Sequence, residues 1–247
     1  METDTKQNLI ERLFSAGAHF GFGKSRRHPS VAPYLYGTKQ GTDIFDLEKT
    51  SELLTRAKEA VKTAGAKGEA VLFVGTKEEI APLVKASAEK VGMPYVTNRW
   101  IGGMLTNFSE IKKRIARLKE LALQGESGEL ERKYTKKERV LIGREFEKLN
   151  FNFGGIRDME KMPNMLLVVD PRHNHIAVRE ARTIGVPMIG ISSSDVDISK
   201  TTYPVVANDT LRSSVSLLLK ELVEAYREGQ KDHQETKEKE QHSAPNQ

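Results

Sequence analysis

Apolar positions divide the chain into two stretches of alternating strands and helices, separated by a middle segment with a different period. The short apolar runs typical of strands buried on both faces fall at 70–75, 93–97, 165–170, 186–191 and 203–207. Helical stripes fill the gaps at 76–91 and 175–184, and a longer one runs from Asp209, a candidate cap, to about Glu228. This order predicts an α/β fold with a parallel sheet and flanking helices.

The middle segment has the seven-residue period of a coiled coil. From Phe108 its apolar positions advance by 3, 4, 3 and 4 residues, to Ile111, Ile115, Leu118 and Ala122. A glycine-containing break at 124–129 separates this arm from a second one. Two stripes are possible on the second arm: Ile142, Phe146, Leu149 and Phe153, or Leu130, Tyr134 and Leu141. The pattern predicts an antiparallel coiled-coil helical hairpin inserted into the sheet domain.

These patterns give three kinds of segment. We expect a discontinuous α/β core over 8–105 and 153–229, with the hairpin insertion at 106–152. The polar ends, 1–7 and 230–247, contain almost no apolar residues that could offset chain entropy, so we expect disordered tails there.

Charge is distributed unevenly along the chain, although its net value is only +5. Basic residues number 15 against 12 acidic ones over 1–106, 12 against 8 over 107–149, and 12 against 14 over 150–247. The excess in the middle segment favours a polyanionic partner. The chain contains no cysteine, apolar leader or membrane-length apolar run, so we expect a cytoplasmic protein without disulfides or a membrane partner.

Three motifs carry candidate chemistry. Thr76 and Lys77 follow a strand and Gly75, an arrangement that can bind phosphate at a helix start, but the spacing of a phosphate loop is absent. The 170–175 stretch contains Asp170, His173 and His175 without the spacing of a catalytic metal site. The hydroxyl-rich 192–197 segment, which includes Asp195, lacks a nucleophile elbow. Whether an ion binds near these acidic and histidine residues is left open.

Four strings together resemble one family. They are 13–21 (LFSAGAHFG), 98–108 (NRWIGGMLTNF), 154–159 (GGIRDM) and 163–180 from Pro163 to Glu180. In this order they resemble bacterial small-subunit ribosomal proteins of the uS2 family, over roughly residues 8–228. Two positions depart from the family pattern: Phe22 stands where a second histidine is usual, and 192–197 lacks the usual Asp-Thr-Asn run.

The resemblance implies a Rossmann-like core that requires no cofactor and a non-enzymatic role in the small subunit. It implies binding to 16S ribosomal RNA near the head-body junction, contact with neighbouring ribosomal proteins and recruitment of the first, mRNA-binding, small-subunit protein. Neither DNA nor a second copy of the chain is expected as a partner. The residues expected at RNA are Lys24, Arg26, Arg27, Arg99, Trp100, Lys112, Lys113, Arg117, Lys136 and Lys137. For Trp100, stacking on a base and anchoring of the turn are both open.

Two other classes of function remain alternatives. One is a Rossmann-like enzyme that binds a nucleotide or sugar at the strand ends near Gly75 and Asp170. The other is an adaptor whose coiled-coil hairpin binds protein.

Overall fold

A computed structural model of the chain describes residues 2–243, with side chains at 7–130 and 132–234. Its helices are α1 (Glu2–Ser15), α2 (Leu47–Ala66), α3 (Ala81–Glu89), α4 (Phe108–Glu126), α5 (Glu129–Lys133), α6 (Lys136–Phe153), α7 (His175–Ile184) and α8 (Arg212–Ser243). Its strands are β1 (Phe20–Gly23), β2 (Leu35–Lys39), β3 (Thr42–Phe45), β4 (Val71–Val74), β5 (Tyr95–Val96), β6 (Met165–Val169), β7 (Met188–Ser192) and β8 (Tyr203–Val206). No helix within 2–243 is both long and apolar enough to cross a bilayer.

The five strands predicted from apolar runs form one parallel sheet in the order β5-β4-β6-β7-β8. Every residue of β4, β6 and β7 is buried, which explains why these strands have continuous apolar sequences. The predicted α/β class with a parallel sheet is therefore confirmed. The strand order changes direction between β4 and β6, and in such sheets ligands bind where the order reverses.

Each face of the large sheet has its own apolar core. On one face, Phe73 and Leu167 pack with residues of α2, α3 and α8, including Leu54 and Leu218. On the other face, the neighbouring strand residues pack with α7, the turn at 100–105 and the first turns of α4. The base of the middle segment is thus part of the core on this second face.

The middle segment folds as two helices that contact each other, with the short α5 between them at the tip. Residues Ile111, Ile115 and Leu118 of α4 are buried. Leu149 and Phe153 of α6 are buried too, whereas Leu141 is 55% exposed, so the stripe that begins at Ile142 faces the core. The knobs-into-holes geometry of a coiled coil, and the boundaries 106 and 152, stay predictions.

Sequence reasoning missed a second, antiparallel sheet with the order β1-β3-β2. Its strands are short, and two of them contain glycine, so they show no clear alternation of apolar and polar residues. Ser194 attaches this sheet to the end of β7: its Oγ accepts from the Phe22 N–H (2.9 Å) and its carbonyl accepts from the His28 N–H (2.8 Å). The basic loop after β1 is thereby held beside the carboxyl end of β7.

The expected disordered tails are largely helical, since α1 begins at Glu2 and α8 continues to Ser243. The continuation of α8 is anchored on the core by two contacts beyond residue 229. Gln230 Nε2 donates to the Val91 carbonyl (3.4 Å), and His233 Nδ1 lies 2.8 Å from the Ala66 carbonyl oxygen. Glu, Lys and Gln are good helix formers, and extending an existing helix avoids the cost of nucleation. Met1 and residues 244–247 lie outside the described residues.

Candidate functional site

Polar side chains bridge the crevice where the strand order reverses. The Lys77 ammonium, just after β4, forms an ion pair with the Asp170 carboxylate, just after β6. Beside this pair, Thr76 Oγ1 donates to Asn174 Oδ1 at 2.8 Å. The lysine that a phosphate site would need is therefore already neutralised by Asp170.

The candidate metal and nucleophile residues nearby also have other partners or are buried. Asp170 Oδ1 accepts from the His173 N–H (2.9 Å), and Asp195 forms an ion pair with Arg172. The histidine side chains of 173 and 175 are exposed, whereas Ser192, Ser193 and Ser194 are buried. Over the described part of the chain, no three His, Asp or Glu side chains are placed to hold one metal ion.

Asp209, expected as the cap of the last helix, is instead a buried carboxyl at this edge of the sheet. It accepts from the Ser193 N–H and from Thr210 Oγ1, both at 3.1 Å. Just before α8, Asn208 Oδ1 accepts hydrogen bonds from the N–H groups of Thr210 and Leu211. Burial, reinforced by the negative charges of Asp170 and Asp195, raises the pKa of Asp209 to about 7.

We expect Asp209→Asn to raise the melting temperature at pH 8 by roughly 3 °C and to change it less at pH 5. The raised pKa means that Asp209 binds a proton more tightly in the folded protein than in the unfolded chain, so its own contribution to stability falls as the pH rises from about 4 to about 7. Asparagine has no such titration. Thermal unfolding at both pH values measures the effect, with Asp158→Asn at an exposed carboxylate as the control. An equal shift at the two pH values would contradict the prediction.

Glu180 of α7 organises the turn that leads into α4. Its buried carboxylate accepts hydrogen bonds from Trp100 Nε1 (3.1 Å), the N–H groups of Gly103 (2.8 Å), Leu105 (3.0 Å) and Thr106 (3.2 Å), and Thr106 Oγ1 (3.2 Å). Burial opposes ionisation, but the N–H of Leu105 and the other donors outweigh it and hold the pKa of Glu180 below its ordinary value. The turn therefore wraps around a carboxylate that belongs to the protein itself.

Trp100 lies within this turn. The indole is only 6% exposed and donates to Glu180, contacts that suit an anchor of the turn, and its stacking on a base stays a prediction. Arg99, its neighbour, is exposed. Asn98 fixes the other side of the hairpin base, because its Nδ2 donates to the Phe151 carbonyl at 2.6 Å.

The cations of the loop after β1 differ in their surroundings. Lys24 and Arg26 are exposed, and the Arg26 guanidinium lies over the Phe22 ring, 5.7 Å from its centroid. Arg27 instead pairs with Asp43, whose side chain is completely buried, and also donates to Thr38 Oγ1 (2.7 Å). The hydrogen bond from Arg27 outweighs the effect of burial and holds the pKa of Asp43 below its ordinary value.

The hairpin cations fall into the same two groups. Lys113 pairs with Glu110 (2.6 Å), and Arg117 joins the helices by pairing with Glu120 (2.9 Å) and Glu145 (3.2 Å). Across the described residues, six of the predicted cations are exposed and have no carboxylate within salt-bridge distance: Lys24, Arg26, Arg99, Lys112, Lys136 and Lys137.

Comparison with known proteins gives a consistent result. A family model described as Ribosomal protein S2 matches residues 13–229. The chain is 42% identical over 220 residues to the small ribosomal subunit protein uS2 of Acidothermus cellulolyticus, covering 89% of this chain and 80% of the relative. It is 41% identical to the protein of the same name from Fusobacterium nucleatum, covering 89% of both chains. For the uS2 protein of Mycobacterium tuberculosis strain H37Rv the identity is 43%, over 89% of this chain and 76% of the relative.

Proposed function

The chain belongs to the ribosomal protein S2 family, and from this premise we propose that it is a structural constituent of the small ribosomal subunit that binds 16S ribosomal RNA near the head-body junction. In this role it contacts neighbouring ribosomal proteins and helps to recruit the first, mRNA-binding, protein of the subunit. It works through contact surfaces, as expected of a ribosomal family, and not through catalysis.

The observation that carries the RNA-binding proposal is the set of six exposed cations without acidic partners. Lys24 and Arg26 lie on the loop held by Ser194, and Arg99 lies at the hairpin base held by Glu180. Lys136 and Lys137 begin α6 and lie between Thr135 and Glu138, which form a capping box. Cations on such supported backbone can meet phosphates without much loss of conformational entropy.

The three ion-paired cations have a different part in the proposal. Arg27 and Arg117 hold the loop and the hairpin in shape through their carboxylate partners. Lys113 forms only an exposed pair with Glu110, and a pair of that kind is weak enough to exchange for a phosphate.

We expect the triple variant Lys112→Gln/Lys136→Gln/Lys137→Gln to bind 16S ribosomal RNA with a salt slope, d log K/d log[salt], smaller in magnitude by roughly 2 to 3. Each lost phosphate contact removes roughly 0.7 to 0.9 of slope through counterion release. Filter binding across a salt series measures the slope, and sedimentation of a lysate measures occupancy on small subunits, which should fall.

The control is Arg56→Gln/Lys67→Gln/Lys90→Gln, which removes the same amount of charge from exposed positions. Arg56 lies on α2, Lys67 caps the C-terminal end of α2, and Lys90 caps the C-terminal end of α3. These helices cover the other face of the sheet. If the hairpin variant and this control changed the slope equally, the effect would be one of net charge, and the hairpin assignment would be wrong.

A further inference from the structure

A cleft of about 620 Å³ lies beside α7, outside the residues assigned to RNA above. One wall is the exposed side of α7 and the Pro171-Arg172 turn before it. The other wall is formed by the segment after β7, from Asp195 to Lys200, and by His28 from the loop after β1.

The α7 wall is a basic stripe. His175, Arg179 and Arg182 are spaced by 4 and 3 residues, so they lie along one side of the helix, and Arg172 stands in the turn before it; all four are exposed and line the cleft. The helix has one acidic residue, Glu180, which is buried on the opposite side against the hairpin base. The one negative charge on α7 is thus hydrogen-bonded at the hairpin base and does not line the cleft.

The acidic side chains in the cleft are already compensated. Asp195 pairs with Arg172, and Asp197 pairs with Lys200 at 3.2 Å. Arg179 and Arg182 have no carboxylate within salt-bridge distance among the described residues, so they give the cleft its positive excess. Arginine is well suited to phosphate, because its planar guanidinium donates two parallel hydrogen bonds.

The cleft also adjoins elements that carry the two surfaces proposed for RNA. His28 directly follows the loop that bears Lys24 and Arg26. Glu180, on the other side of the same helix, holds the turn that carries Arg99 into the hairpin.

We propose that this cleft binds the phosphodiester backbone of ribosomal RNA, with Arg179 and Arg182 as the phosphate ligands and the cleft as the link between the loop and hairpin surfaces. The inference rests on the proposed ribosomal function and extends it to a site in the acidic C-terminal third of the sequence. Contacts from these two guanidinium groups to phosphates fix the position of the RNA backbone and carry no information about base sequence.

The test compares wild type with Arg179→Gln/Arg182→Gln for binding to transcribed 16S ribosomal RNA over a salt series. The expected result is a salt slope smaller by roughly 1.4 to 1.8 and an affinity lower by roughly 25- to 60-fold at 0.1 M salt. Both arginines are exposed and unpaired, so the melting temperature should not change by more than about 1 °C. Arg56→Gln/Lys90→Gln, on the other face of the sheet, is the matched control.

The outcomes separate this inference from the proposed function. If wild type binds the RNA and the triple hairpin variant behaves as expected, but the α7 variant binds like wild type, the cleft inference alone is wrong. A normal affinity of the α7 variant for RNA combined with reduced occupancy on subunits would assign the cleft to an acidic protein partner and overturn the RNA assignment. Absence of salt-dependent binding by wild type would overturn both proposals.

Discussion

Glu180→Ala is expected to lower the free energy of unfolding by about 3–4 kcal/mol and the melting temperature by roughly 10 °C. The substitution leaves the Trp100 indole and the N–H groups of Gly103 and Leu105, among other donors, without an acceptor inside the protein. An unsatisfied buried donor costs about 1–3 kcal/mol, and partial entry of water limits the sum. Chemical denaturation measures the change.

Glu180→Ala should also weaken assembly into the small subunit, because these donors belong to the turn that starts α4. Freed from the carboxylate, the turn no longer fixes the direction of the hairpin or the position of Arg99. Occupancy on small subunits should therefore fall even at temperatures where most of the variant remains folded. Glu52→Ala, at an exposed glutamate of α2, is the control and should cost less than about 0.5 kcal/mol.

Glu180→Gln tests the charge itself. The amide keeps the shape of the side chain but presents an NH₂ group to N–H donors. The variant should therefore be less stable than wild type at pH 7. The pKa of Glu180 is lowered in the folded state, so the stability it contributes is present above the unfolded pKa of about 4.3 and is lost as the pH falls through the folded value. The gap between wild type and this variant should close in that acidic range. A gap independent of pH would show that the carboxylate is not ionised at neutral pH.

The sheet could be predicted from the sequence because its three central strands are buried on both faces. Runs such as Val71–Val74 and Met165–Val169 have no solvent-facing positions to interrupt them, so apolar content alone marks them. The β1–β3 sheet could not be found in this way. Its strands are four or five residues long and partly exposed, and two of them are interrupted by glycine. The residue that attaches this sheet to the core, Ser194, is 172 residues from its partner Phe22.

The candidate site was only partly predictable, because a sequence shows charges but not their partners. The sequence does not distinguish Arg27 from its neighbour Arg26. Their surroundings differ because Arg27 pairs with the buried carboxylate of Asp43, which is 16 residues away in the chain. Glu180 lies within a string that resembles the family, yet no local pattern connects it to Gly103, 77 residues earlier. The basic stripe of α7 was readable from its helical spacing, but the net negative charge of residues 150–247 concealed it.

Arg27→Gln is expected to lower the melting temperature by roughly 5–10 °C, whereas Arg26→Gln should leave it unchanged within about 1 °C. The first substitution leaves the Asp43 carboxylate, whose side chain is completely buried, without its cation. The second removes an exposed charge that lies over the face of Phe22 and pairs with no carboxylate within the described part of the chain. Scanning calorimetry at pH 7 measures both variants, which are matched in charge and nearly in position.

RNA binding should show the reverse order of effects: Arg26→Gln should weaken it more than Arg27→Gln. Below the melting temperature of both variants, Arg26→Gln should reduce the salt slope for 16S ribosomal RNA by roughly 0.7 to 0.9, and Arg27→Gln should leave it near the wild-type value. Arg27→Gln/Asp43→Asn should recover much of the lost stability, since the buried charge is then absent. The Asp43 pKa is lowered, so the penalty of Arg27→Gln should also shrink as acid protonates this carboxylate. If Arg27→Gln were as stable as wild type but lost the same slope as Arg26→Gln, Arg27 would be a phosphate ligand and its pairing with Asp43 would be incidental.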